Sequence, residues 1–216
     1  MLRYGGRLQR IERQIHHYAS ALNAQVLLSA FRDDPSDLYL LRVGYGGIIA
    51  PLSNIHEDGC PSAAFHSYPE TLRWDGYTGD YGPGFLGMVL NSGTYVSETD
   101  EVGLVAHGGI LSTDGGSVAV QPREPVKKRA FIGPLGVLIS IDAGIIEEFS
   151  YDTGSQAISV TLSQLEGAPQ ADNIVVWTES TSGRSWAVGG DNVTPSRNGW
   201  QVPMSGAQVT VQLSPA

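Results

Sequence analysis

The spacing of hydrophobic residues changes period once along this chain. Leu8, Ile11, Ile15, Tyr18 and Leu22 recur three and four apart, which places them on one face of an amphipathic helix. Arg7, Arg10, Glu12 and Arg13 fill the other faces. The apolar run continues through Val26, Leu27, Leu28 and Phe31. One helix, or a pair broken near Asn23, is therefore predicted to stop before Asp34-Pro35. Pro35 suits the first position of a second helix, with Asp34 as its N-cap. That helix carries Leu38, Leu41 and Val43 and runs into Gly44–Gly47. Each glycine costs a helix roughly 1 kcal/mol relative to alanine. The glycines thus belong where a backbone or ligand comes close, or at a helix–helix contact. Pro51 ends this segment. Residues 52–82 read as a long loop, and Pro83 opens a short helix through Phe85, Leu86, Val89 and Leu90 that ends near Tyr95.

Beyond residue 101 the period becomes two. Val118 and Val120, then Ile158, Val160 and Leu162, then Val209, Val211 and Leu213 alternate with small or polar residues, as half-buried strands do. Turn formers punctuate them at Asp114-Gly115, Asp152–Gly154, Ser182-Gly183, Asn198-Gly199 and Ser205-Gly206. Eight or nine short strands are expected, with the apolar stretch Phe131–Ile141 at the centre. Turn signals about every ten residues fit an antiparallel β-sandwich. The fold class is then α+β, with helices in 1–100 and a sandwich in 101–216, divided at the polar stretch Ser97–Glu101. Three or four helices leave apolar faces that need partners, either the sandwich or further helices.

Composition narrows the function. The net charge is −9, which argues against nucleic acid as a partner, because phosphate binding needs a basic stripe. No apolar run is long enough to span a membrane. One cysteine, Cys60, excludes an internal disulfide. The first residues lack the apolar core and cleavage site of a signal peptide, so either a cytoplasmic chain or a piece of a longer one is expected. No P-loop, dinucleotide fingerprint or nucleophile elbow is present. No cofactor is expected, and no metal, since His56 and His66 lack a third clustered ligand.

The candidate chemistry is concentrated in FHSYPETLRWDGYTGDYGPGF, Phe65–Phe85. Long loops with no secondary structure of their own are usually functional or disordered, and this one is too aromatic for disorder. Asp75 and Asp80 supply the paired carboxylates of glycoside hydrolysis, one to protonate the leaving oxygen and one as base or nucleophile. Asp75 also reads as a turn former before Gly76, and Asp80 as a helix cap. His66 is a proton-transfer group or a structural histidine. Trp74, Tyr68, Tyr77 and Tyr81 offer faces for sugar stacking, or simply cover a junction; Glu70 and Arg73 stand among them. Glu57 and Asp58 read as a solvated turn. Asn192-Val193-Thr194 is an N-glycosylation sequon.

The segments RIERQIHHYASALNA, LYLLRVGYGGIIAPLSNI, AAFHSYPETLRWDGYTGDYGPGF and RAFIGPLGVLISIDAG together resemble the C-terminal part of a six-hairpin glycosidase-like family. Its members are large fungal and bacterial proteins, many labelled as domains of unknown function. The resemblance covers roughly residues 4–165. It implies that residues 1–100 are the last helices of an (α/α) toroid, incomplete here, with a β-sandwich after them. It also implies a secreted, carbohydrate-active parent with further helices upstream. His66, Trp74, Asp75, Asp80 and Tyr81 stand in the family's cleft-facing motif. A glycoside hydrolase portion is the expected function. A non-catalytic carbohydrate-binding or structural sandwich is the alternative, and a polysaccharide lyase a third.

Overall fold

The computed structural model describes residues 2–4, 14–50, 92–124 and 128–216. The chain divides into two compact units, Met1–Ser92 and Gly93–Ala216.

In the first unit, β1 (Leu2–Tyr4) pairs antiparallel with β2 (Gln14–His16), with Arg3 opposite Ile15. Gln14–His16, expected inside the first helix, are therefore strand, and α1 (His17–Asp33) follows them; residues 8–13 of the expected helix lie outside the described residues. Backbone pairing with a distant segment overrides the local apolar spacing there, as tertiary context commonly does. From His17 onward α1 is unbroken through Asn23. Ala21, Ala24, Leu28 and Phe31 form its buried stripe.

The second helix, α2 (Leu38–Ile49), is capped by Asp37 and not by Asp34. Asp34 is occupied one turn earlier, where its Oδ1 accepts from the Ser36 hydroxyl at 2.6 Å. Pro35 lies in that turn. Asp37 Oδ1 accepts from the backbone N–H groups of Tyr39 at 3.0 Å and Leu40 at 3.2 Å, satisfying donors that have no partner within the helix. A connection this short makes α1 and α2 an antiparallel hairpin. Leu28 and Gly44 lie at matching distances from the turn and meet face to face. A Cβ on Gly44 would come 2.9 Å from Leu28 Cγ, so this glycine serves the helix–helix contact.

The second unit is a two-layer β-sandwich. Its strands are β3 (Thr94–Thr99), β4 (Gly103–His107), β5 (Gly109–Asp114), β6 (Ser117–Pro122), β7 (Arg129–Ile132), β8 (Val137–Ile141), β9 (Ile145–Asp152), β10 (Ile158–Ser163), β11 (Asn173–Ser180), β12 (Trp186–Gly189), β13 (Thr194–Ser196), β14 (Gly199–Pro203) and β15 (Gln208–Pro215). Among the described residues thirteen strands stand where eight or nine are expected, because hairpins such as β13–β14 are too short to show periodicity. Thr94 and Tyr95, expected at a helix end, are strand. The polar Ser97–Glu101 stretch finishes β3 and turns the chain into β4.

One sheet has six strands in the order β12-β15-β10-β9-β6-β5, and the other seven, β13-β14-β11-β8-β7-β3-β4. All pairs are antiparallel except β3 with β7. The apolar stretch Phe131–Ile141 is the β7–β8 hairpin, set near the middle of the seven-stranded sheet, with a 3-10 turn at Gly133–Leu135. Inward residues of both sheets form one core. Val96, Ala130, Ile132, Ile139, Ile141, Ile174 and Val176 meet Val118, Val120, Phe149, Ile158, Val160, Leu162, Val211 and Leu213. Alternation makes this possible, since successive side chains in a strand point to opposite faces. Near the start of β9 the register slips against β10, leaving Glu147 as the extra residue of a bulge. Its carboxylate accepts from the Ser163 hydroxyl at 2.6 Å.

Candidate functional site

The residues singled out in the sequence for catalysis and sugar contact lie outside the described residues. These are His66, Tyr68, Glu70, Arg73, Trp74, Asp75, Tyr77, Asp80 and Tyr81, and with them His56, Glu57, Asp58 and Cys60. The sequon is described. Asn192 is exposed in a turn, with the left-handed φ of 57° that asparagine tolerates, and Thr194 is exposed at the start of β13.

Among the described residues, chemistry gathers on the outer face of the seven-stranded sheet. Ala130, Ile139 and Val176 point into the core, so their neighbours Arg129, Ser140 and Trp177 point out. Register aligns these three in one row, with Arg129 opposite Ser140 and Ser140 opposite Trp177. Side chains directly opposite on neighbouring strands sit about 5 Å apart at Cβ, so Ser140 lies between a guanidinium stem and an indole.

A second row runs beside the first. His107 pairs with Tyr95, Tyr95 with Phe131, Phe131 with Leu138 and Leu138 with Glu179. The rings of Tyr95 and Phe131 are tilted at 55° with centroids 6.3 Å apart, a favourable edge-to-face arrangement. Tyr95, Phe131 and Leu138 are buried although they face away from the sandwich core. In the first row, Arg129 and Trp177 are half-buried; Glu179, in the second, is exposed.

Within this row Ser140 is the anomaly. It is 1% exposed, and its hydroxyl has no hydrogen-bond partner. Buried polar groups are nearly always paired, and an unpaired one costs about 1–3 kcal/mol. Beyond Trp177, Gly199 leaves the indole room, since a Cβ there would collide with the Val176 carbonyl oxygen and lie 3.0 Å from Trp177 Cβ.

The indole N–H of Trp186 is likewise buried without a partner, whereas several charged groups of the sandwich are satisfied in place. Asp142 Oδ1 accepts from the Val175 N–H at 2.8 Å, and Lys128 Nζ donates to the Gly144 carbonyl at 2.9 Å. Burial lowers the Lys128 pKa, and the charge of Asp142 opposes that shift. Burial, with a smaller contribution from Glu98, pushes the Tyr151 phenol up to about 12. Asp152 is held below the usual carboxylate value by bonds from the backbone N–H and hydroxyl of Ser155. Among the described residues no group of three or more His, Cys, Asp or Glu could hold a metal ion. No described helix is long and apolar enough to cross a membrane.

Sequence reasoning passed over Arg129, Ser140 and Trp177. The signal was present. Period-two alternation in RAFI, VLISI and NIVVWTES puts each on the face opposite its apolar neighbours, but only register sets the three in line.

Fold and site together define an α+β protein, a helical hairpin and a thirteen-stranded sandwich with a polar–aromatic row on one outer face. The chain belongs to a family of unknown function, DUF5695, whose model matches residues 2–212. Comparison with curated proteins and with solved structures gives no match.

Proposed function

We propose that the chain is the C-terminal portion of a secreted carbohydrate-active enzyme, a glycoside hydrolase of the six-hairpin glycosidase-like kind acting on a poly- or oligosaccharide. The observation that supports this is the unused apolar surface of the helical hairpin. Leu22 and Val26, four apart on α1, are 52% and 70% exposed. Tyr39 and Val43, four apart on α2, are 73% and 42% exposed. Residues four apart share a helix face, so each helix carries a second apolar strip besides the one it buries. An (α/α) toroid sets helical hairpins side by side, and each hairpin needs such strips for its neighbours. The partners in this reading are upstream helices of a longer parent chain.

Asp80 and Asp75 then act as the acid and the base or nucleophile, with His66 as a further proton-transfer group. Trp74, Tyr68, Tyr77, Tyr81, Glu70 and Arg73 hold the sugar. Asp80→Ala in the longer parent is expected to lower kcat by about a hundredfold or more with little change in substrate binding. Activity within a few-fold of wild type would sink the assignment. A second reading, a carbohydrate-binding sandwich without catalysis, is favoured by the Arg129–Ser140–Trp177 row. It predicts saccharide binding without turnover.

A further inference from the structure

We propose that the row Arg129, Ser140 and Trp177 is a binding site for an acidic saccharide, a sugar ring bearing a carboxylate. For its ligand class the inference rests on the carbohydrate reading above; its geometry is independent of it.

Three observations converge. First, Arg129 is a half-buried cation with no acceptor among the described residues, in a chain where Asp and Glu outnumber Lys and Arg by 22 to 13. The fork of a guanidinium matches a carboxylate with two parallel hydrogen bonds. Second, the Ser140 hydroxyl is buried and unpaired immediately beside it. A carboxylate oxygen on Arg129 gives that hydroxyl the acceptor it lacks. Third, Trp177 flanks Ser140 on the other side, and an indole face stacks on a sugar ring while leaving the ring hydroxyls exposed.

The row spans three adjacent strands, on the order of 10 Å from β7 to β11, which suits a single sugar unit. Glu179 sets the orientation. It lies two residues beyond Trp177 on the same face of β11 and is exposed. A negative group there repels the ligand carboxylate toward Arg129 and accepts from sugar hydroxyls at the far end. Ser140 is 1% exposed, so binding requires side chains around it to move, and its row neighbours Arg129 and Trp177 are the partly exposed ones. Both are long and able to change rotamer. The unmet hydrogen bond is thus a cost carried by the unliganded protein and relieved on binding.

The test is calorimetric titration of the 216-residue chain with three probes: an oligogalacturonate, a neutral gluco-oligosaccharide of the same length, and a glutamate peptide of the same charge. The oligogalacturonate alone is expected to bind. Arg129→Lys, which keeps the charge but loses the fork, is expected to weaken Kd by about tenfold, and Trp177→Ala by about tenfold or more. Ser140→Ala supplies a readout that a structural role would not produce: weaker oligogalacturonate binding together with a higher unfolding temperature of the unliganded chain. Equal binding of the neutral sugar overturns the proposal while leaving the carbohydrate reading standing. Equal binding of the peptide overturns the sugar class. Binding of none overturns the site, and the hydrolase reading is then judged separately by Asp80→Ala.

Discussion

Gly144 offers a quantitative test of the sandwich. It lies between β8 and β9, where the chain leaves the seven-stranded sheet for the six-stranded one, with φ of +66°. An alanine there meets two separate obstacles. The left-handed backbone costs a residue with a Cβ about 1–2 kcal/mol. The added methyl would lie 2.5 Å from the Ser163 carbonyl oxygen and 2.6 Å from Ile174 Cδ1. One of these is β10 backbone and the other a fully buried core side chain, so neither gives way easily. Overpacking of that kind adds about 1–3 kcal/mol, for a total of roughly 2–5 kcal/mol.

Gly103 separates the two costs. Its φ is +67°, and a Cβ there meets nothing within 4 Å, so Gly103→Ala carries only the backbone cost of about 1–2 kcal/mol. At roughly 3 °C per kcal/mol for a unit of this size, Gly144→Ala is expected to lower Tm by about 6–15 °C and Gly103→Ala by about 3–6 °C. Thermal unfolding followed by tryptophan fluorescence reads the sandwich, because Trp177, Trp186 and Trp200 all lie within it. Equal losses at the two glycines would refute the steric half of the reasoning, and no loss at either would refute the backbone half.

Two further expectations concern a helix cap and a buried phenol. Asp37→Ala removes the acceptor of two N-terminal N–H groups of α2 and is expected to destabilise the hairpin by about 1 kcal/mol, seen as an earlier loss of helical circular dichroism on heating; Asp34→Ala is expected to cost less. The Tyr151 phenol is raised from 10.0 to about 12 by burial and then by Glu98. A raised folded pKa means that the neutral form is the stabilised one. Its contribution is complete below pH 10 and is lost as pH climbs toward about 12. Tyr151→Phe should therefore lose less stability than wild type across that window in denaturant titrations, and identical alkaline profiles would count against the assignment.

Much of the sandwich is legible in the residues alone. Val118/Val120, Ile158/Val160/Leu162 and Val209/Val211/Leu213 each lie in a strand and pack on the core, Val209 as a partly buried member. Alternation is a local property, and burial of one face enforces it. The stop of α1 before Asp34-Pro35 was equally plain, because a proline restricts the residue before it. Less legible were features that depend on competition or on distant partners. Asp34 and Asp37 are both competent caps, and Ser36 decides between them by engaging Asp34. Gln14–His16 carry a helical spacing, yet the chain pairs them with Leu2–Tyr4.

The amino-acid order by itself determined the class of this protein: helices first, then an antiparallel sandwich with its inward faces already written as alternating Val, Ile and Leu. Those choices depend on near neighbours in the chain, where periodicity and turn chemistry act. Only the tertiary structure decided that Arg129, Ser140 and Trp177 stand shoulder to shoulder. They are 11 and 37 residues apart along the chain, and strand register, a long-range choice, is what turns three scattered outward residues into one surface.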